Sequence, residues 1–329
     1  MQRNTKAIIL AIVMGVVMPA VLIQIAQGKL SNKNETTEES MQAEQTDALQ
    51  ETKKSNGALY IPVLFENGTV EAMEIETYIS GVVLAEMPSD FEQEALKAQA
   101  VVARTYALKR HFSQEKHAGG AVCTDFGCCQ AYCAEEDFLA SGGTQIALDK
   151  VVNAVKQTSG MVLTYQSQLI DATYFSCSGG KTEDAEAVWG TAVPYLQSVA
   201  SPGEEEAVHY MDTVFFTLEE FAAYLQIDQA LLTGSWIGDI TYTNGGGVAD
   251  ITICDHTYSG TEIRSLLGLR STAFVITAVG NTVTVTTKGF GHRVGMSQYG
   301  ADAMALSGSS YEDILTYYYQ GTTLEKFAV

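Results

Sequence analysis

The chain has 329 residues, of which 46% are hydrophobic and only five are proline, enough apolar material for a large core and too much for a disordered protein. Its formal net charge of -20 and pI near 4.5 argue against nucleic acid as a partner, because phosphates would be repelled. The length exceeds one average domain, yet the residues with chemical potential are scattered from Glu86 to Tyr299, which argues for one compact unit with an inserted lobe.

Residues 7–26 are almost wholly apolar, interrupted by Pro19 and Gln24 and preceded by Arg3 and Lys6. About twenty such residues suffice for a spanning helix, so residues 1–28 read as a cytoplasmic tip and a membrane anchor with the rest of the chain outside. A cleaved signal peptide is the competing reading; the apolar run is long for one, and no small-x-small cleavage site follows. Residues 29–57 are polar without an apolar period and read as a flexible linker, leaving residues 58–329 as the folded domain.

Within the domain, Glu66-Asn67-Gly68 separates two apolar runs, 60–65 and 69–75, and predicts a hairpin, since Asn-Gly accepts positive φ. The run Gly81 to Pro88 then brings one carboxyl, Glu86, to the expected start of a helix over 90–109, with Ser89 and Glu92 at capping-box spacing. A carboxyl in apolar surroundings has a raised pKa and keeps a proton for general acid work, although Glu86 reads equally as a cap of the next helix. The predicted helix is rich in Ala, which suits close packing against a neighbour.

Four cysteines crowd into Cys123, Cys128, Cys129 and Cys133, with His117 just before them. Adjacent Cys128 and Cys129 cannot comfortably pair with each other. His117, Cys123 and Cys129 are spaced so that one loop can wrap a tetrahedral Zn²⁺, with Cys133 as a spare ligand; disulfides and free thiols are the alternatives. Cys177 and Cys254 read as small buried residues.

Further on, Leu148, Val151, Val152 and Val155 mark a helix face closed by Gly160, and strands are expected over 161–165 and 169–175. Residues 208–288 read as a β-rich middle lobe with a helix opening at Thr217 and turns at 244–247 and 280–281. Helices over 298–306 and 311–319 close the chain. Tyr317, Tyr318 and Tyr319 are aromatic enough to stack on a sugar, with core packing the alternative. The whole predicts a mixed α+β fold.

Ordered along the chain, Glu86-Met87-Pro88, Ala98-Gln99-Ala100 with Ala103-Arg104-Thr105-Tyr106, Ser176-Cys177-Ser178-Gly179-Gly180-Lys181-Thr182-Glu183 with Val188-Trp189-Gly190, Gly268-Leu269-Arg270-Ser271, and Gly291-His292-Arg293-Val294-Gly295-Met296-Ser297-Gln298-Tyr299-Gly300-Ala301 resemble the stage II sporulation protein D family, which includes amidase enhancers. The resemblance runs from about residue 59 to the C-terminus. It implies lytic transglycosylation of the bond between N-acetylmuramic acid and N-acetylglucosamine in peptidoglycan glycan strands free of stem peptides, with Glu86 as general acid and then base.

One carboxyl suffices for such a reaction, because the sugar's own 6-hydroxyl replaces the second group of a glycosidase. Asp171, Glu183 and Asp302 lie in other motifs, but none has surroundings like those of Glu86. Arg104, Ser176, His292, Gln298 and Tyr299 are expected to bind substrate; the bland alternatives are a pairing of Arg104 with Glu94 or another acid inside the fold, a core Tyr299 and a helix-capping Gln298. Arg293 replaces the small residue usual after this His and is expected to alter subsite contacts.

The resemblance also implies zinc through a His and two Cys. Many members have His directly before the second Cys, where this chain has Cys128, so either His117 or Cys128 is the third ligand, and the ion is expected to be structural. Expected partners are a sporulation cell-wall amidase and a further membrane protein, in the space between mother cell and forespore. Two other readings stand beside this one: a zinc-dependent peptidoglycan hydrolase with Glu86 as base, and a non-catalytic glycan-binding activator of an amidase.

Overall fold

The computed structural model describes residues 58–327. The expected anchor and linker lie outside the described residues, among which no helix is long and apolar enough to cross a membrane. The domain is mixed α+β, as its sequence predicts, with five small sheets set among helices.

Strands β1 (Tyr60–Leu64) and β2 (Val70–Glu74) form the predicted antiparallel hairpin, pairing Tyr60 with Glu74 around a turn in which Gly68 has φ +84°. The second strand stops one residue short of the expectation. Glu74 becomes an N-cap, its carboxylate accepting the Thr77 N–H at 3.1 Å, and helix α1 (Ile75–Glu86) begins at once. The sequence hid this helix because six consecutive residues, Ile79 to Leu84, are buried, so its second half is covered on every side and shows no polar stripe. Glu86 therefore ends one helix and does not start the next.

Helix α2 (Gln93–Ser113) starts three residues later and ends four later than expected. The Ser89–Glu92 capping box does not form, because the Glu92 N–H donates to Asp302 Oδ1 at 2.7 Å. Ala95, Ala98, Ala100, Ala103 and Ala107 are fully buried, so the small residues let neighbours come close on several faces at once. After β3 (Val122–Cys123), which pairs parallel with β1, and α3 (Glu135–Ala140), helix α4 (Gln145–Gln157) packs on α2. Strand β4 (Met161–Tyr165) packs there too and pairs with the short β5 (Gln168–Leu169).

The expected strand over 169–175 is broken. Only β6 (Tyr174–Phe175) is paired again, beyond a kinked stretch, and α5 (Ala185–Trp189) follows. The middle lobe has its own core around Phe221, Trp236, Ile251, Ile263 and Val285. It runs through β7 (Met211–Thr217), α6 (Leu218–Leu225), β8 (Ile237–Tyr242), β9 (Val248–Ile253), β10 (His256–Ser259), α7 (Gly260–Leu267), β11 (Phe274–Val279) and β12 (Thr282–Lys288). The Thr217–Glu220 capping box forms as predicted.

The chain then returns to the first core. Strand β13 (Met296–Ser297) pairs parallel with β6, helices α8 (Gln298–Leu306) and α9 (Tyr311–Tyr318) follow, and β14 (Thr323–Lys326) joins β4. Tyr318 and Tyr319 are buried in that core, and Tyr317 donates to the Ala200 carbonyl at its edge.

Arg293 corrects one expectation. Its backbone has φ +67° and its side chain is 2% exposed, so it turns inward and contacts no subsite. The guanidinium pairs with buried Glu183 at 3.2 Å and donates to the Ser178, Lys181 and Gly245 carbonyls. Glu183 also accepts the Gly247 N–H at 2.9 Å, so this charge pair ties a turn of the middle lobe to the main core. Breaking such a pair costs more than it contributes, because one charge stays buried alone.

Gly81 in α1 marks a close approach between a helix backbone and an aromatic ring. A Cβ there would lie 2.2 Å from the Tyr132 ring, and the Gly81 carbonyl accepts the Cys133 N–H at 3.0 Å. We expect Gly81→Ala to destabilise the chain by about 1–3 kcal/mol in denaturant titration, despite Ala's better helix propensity, because overpacking outweighs propensity here.

Candidate active site

A cleft of about 840 Å³ opens beside the end of α1, with Glu86 in its wall. One Glu86 oxygen accepts the Ala131 N–H at 2.7 Å, and the Tyr174 hydroxyl lies beside the carboxyl. Burial nevertheless wins: it pushes Glu86 above its ordinary value near 4.5, against the lowering effect of those two donors. The group is an acid that holds its proton more tightly than a free glutamate, half-open to a cleft.

Its supports come from two directions. The β6–β13 pair sets Tyr174, Ser176 and Gln298 along one wall. Gln298 is 5% exposed and its Nε2 donates to the Glu86 backbone carbonyl at 2.9 Å, which satisfies a C-terminal carbonyl of α1 that has no helical partner. On the other side, buried Gln130 donates to the Tyr174 hydroxyl at 3.0 Å, while the next residue supplies the Ala131 N–H. Sequence reasoning missed Gln130, Ala131 and Tyr174 as site residues. Only the nearness of Gln130 to Cys129 and of Tyr174 to Ser176 pointed toward them.

The expected substrate residues divide. Ser176, His292, Gln298 and Tyr299 line the cleft with Glu86. Arg104 does not: it is 1% exposed, donating from Nε and Nη2 to Glu76 at 3.0 and 2.5 Å and from Nη1 to the Met161 carbonyl at 3.1 Å. This corrects the expected contact with substrate in favour of the alternative, a pairing with an acid inside the fold, and that acid is Glu76. The pair holds α1 to α2 and β4, and the cleft receives Arg110, two turns further along α2, in its stead.

His292 is held neutral. Burial, then the nearby Arg264 charge, lowers it to about 4, its Nδ1 accepts the Val294 N–H at 3.1 Å, and its ring packs on Phe175 and Trp189. That arrangement fixes the glycine-flanked turn. Tyr299 lies edge-on against Phe91, and its N–H donates to the Ser176 carbonyl. Of the other acids considered, Glu183 is buried with Arg293, Asp302 caps α2, and Asp171 lines the cleft with an oxygen 2.9 Å from Arg110 Nη2.

The metal candidates come together more fully than the spacing foretold. One ligand atom from each of His117, Cys123, Cys128 and Cys129 lies within 4.8 Å of all the others, with His117 Nε2 3.4 Å from Cys128 Sγ. Choosing between His117 and Cys128 is unnecessary, since both belong to the group. Three thiols and an imidazole are the donor set of a closed tetrahedral zinc site. Burial, with the Cys123 and Cys128 thiols adding to it, pushes Cys129 up to about 12, a crowding of sulfurs that a divalent cation would relieve. Cys133 stays outside the group, its thiol directed at the Ala134 carbonyl, and all six cysteines are unpaired by disulfides. Cys177 is buried as expected, while Cys254 is only half-buried.

Fold and cleft thus define a mixed α+β protein with a carboxyl of raised pKa and a Cys₃His cluster beside the same groove. Residues 66–165 match the family described as stage II sporulation protein. Stage II sporulation protein D of Bacillus subtilis (strain 168) is 43% identical over 265 residues, covering 79% of this chain and 77% of the relative. The Bacillus amyloliquefaciens protein of the same name is 42% identical over 79% of this chain and 76% of its own length. An amidase enhancer of Bacillus subtilis is 30% identical over 76% of this chain, which spans 40% of that longer protein. The chain belongs to the stage II sporulation protein D family.

The raised Glu86 pKa has a consequence for stability. The native state holds this proton more tightly than the unfolded chain does, so the carboxyl weakens folding as pH rises above about 4.5 and has no such effect below it. Glu86→Gln keeps the acceptor for Ala131 and removes the ionisation. We expect it to raise the denaturation midpoint at pH 7.5, with the gain shrinking to nothing at pH 4; an unchanged midpoint at both pH values would count against a perturbed carboxyl.

Proposed function

We propose that the domain is a lytic transglycosylase that cuts the bond between N-acetylmuramic acid and N-acetylglucosamine in glycan strands of the sporulation cell wall. The observation that carries this reading is the proton held on Glu86 by burial in the wall of an open cleft. Glu86 gives that proton to the glycosidic oxygen as the C1–O bond breaks. The muramyl 6-hydroxyl attacks C1, its proton passes to the Glu86 carboxylate, and a 1,6-anhydro end forms with no water consumed. Ala131 N–H and the Tyr174 hydroxyl steady the carboxylate between the two transfers.

The same residues argue against a two-carboxylate hydrolysis, because Asp171 is engaged by Arg110 and the remaining acids of the motifs serve the fold. Trp189 and Phe126, 46% and 84% exposed on the cleft rim, offer flat faces to sugar rings. Ser176 and Tyr299 supply hydroxyl groups for the sugar substituents.

Zinc fits His117, Cys123, Cys128 and Cys129 as a structural ion. Such a closed site supplies no open position for chemistry, and what it contributes is a fixed course for the chain from Cys129 to Ala131. The name of the amidase-enhancer relative supports an amidase partner working on the same wall. Anchoring by residues 7–26 would keep the domain at the outer membrane surface between mother cell and forespore, beside a further membrane protein.

Two experiments test the reading. Incubating the chain with stem-peptide-free glycan should give anhydromuramyl ends by mass analysis, and Glu86→Gln should lower the rate by at least about 10²-fold. Reducing ends, released peptides or acetate would favour a hydrolase, and full cleavage by the Gln variant would leave only a glycan-binding amidase activator. Separately, Cys129→Ser should lower zinc content and the thermal midpoint together; metal content unaffected by the change would remove the zinc assignment.

A further inference from the structure

The cleft carries a local charge that the chain as a whole does not. In a protein of net charge -20, two permanent cations, Arg110 and Lys116, line it on the side of the cysteine loop. Both lie against one aromatic side chain: the Arg110 guanidinium lies 5.0 Å and the Lys116 ammonium 5.9 Å from the centroid of Tyr106. Such stacking fixes the direction of both charges.

Their partners differ. Arg110 is braced by Asp171 within the cleft and by exposed Glu115 at 3.2 Å outside it, and its buried Nε has no acceptor. Lys116 donates to the Cys128 carbonyl and, at 3.2 Å, to the Tyr106 hydroxyl, and among the described residues no carboxylate pairs with it. Asp171 is matched to Arg110, while Lys116 meets only a carbonyl and a hydroxyl, so its ammonium keeps a donor for a further acceptor. An anion on the bound molecule is what such a wall selects.

Intact peptidoglycan carries a peptide amide on the lactyl oxygen-linked arm of each muramic acid. Hydrolysis of that amide leaves a lactyl carboxylate in its place, one per disaccharide. We propose that Arg110 and Lys116, both held against Tyr106, form a subsite for this free lactyl carboxylate. The inference rests on the proposed glycan substrate and adds to it a reason why stripped strands are taken: the cleft recognises the group that an amide-hydrolysing step exposes.

The test is binding, so that it stands apart from cleavage. Full chain carrying Glu86→Gln is titrated calorimetrically with stripped glycan, and with the same glycan after its lactyl carboxyls are converted to methylamides. The stripped form should bind about tenfold more tightly, the scale of one charge-assisted contact. Raising salt should erase that advantage and leave the methylamide affinity unchanged. Lys116→Met should remove the preference and Lys116→Arg should keep it, which separates loss of charge from loss of packing; Arg110→Met should also reduce it.

Equal affinity of the unsubstituted pair of glycans would overturn the subsite, as would an equal loss for both in Lys116→Met. Selective binding of stripped glycan by a chain that yields no anhydro ends would keep the subsite and defeat the transglycosylase reading. Cleavage of both glycans with equal efficiency would do the reverse.

Discussion

The segment from Cys129 to Cys133 is the constraint on which the cleft depends. It crosses α1 at Gly81, the one point in that helix where a ring can lie directly on the backbone, and the Tyr132 ring does so. Within five residues the segment supplies a thiol to the Cys₃His group, an amide to Tyr174 and a backbone N–H to Glu86. An acid in a half-buried wall keeps both its proton and its aim only if its few polar partners are immobile. Tyr132 packing provides that immobility at one end of the segment, and the proposed zinc ion on the clustered thiols would provide it at the other.

Two buried ion pairs do comparable work for the scaffold. Arg104 with Glu76 joins the first two helices to β4, and Arg293 with Glu183 joins the middle lobe to the glycine-flanked turn of His292. Both arginines lie in segments that suggest substrate contact. A motif records that a residue type is required at a place, and a buried guanidinium meeting several carbonyls is required as strictly as one that meets a ligand. The cleft's own cations, Arg110 and Lys116, fall at the edge of those motifs.

Much of the fold was legible in residues whose signals are local. The Asn67-Gly68 hairpin, the Thr217 capping box, the helix from Gln298 to Leu306 and the α+β class follow from turn chemistry, caps and period. Helix α1 was not legible, because burial on all sides erases the polar stripe that betrays a helix, and so the environment of Glu86 was anticipated while its position at a helix end was not. The strand expected over 169–175 was broken by tertiary pairing of Tyr174 with Met296, more than a hundred residues away, which no local pattern encodes. The metal group was read from four close residues, but its full membership needed the turn that carries Cys128 toward His117.

The account stands on a single carboxyl that stays protonated where ordinary glutamates are charged. Carbon-13 NMR of the chain labelled at glutamate side-chain carboxyls, with Glu86 assigned by its absence in Glu86→Gln, reads that titration directly. The account predicts a midpoint clearly above 4.5 for Glu86. A midpoint at or below 4.5 would contradict it.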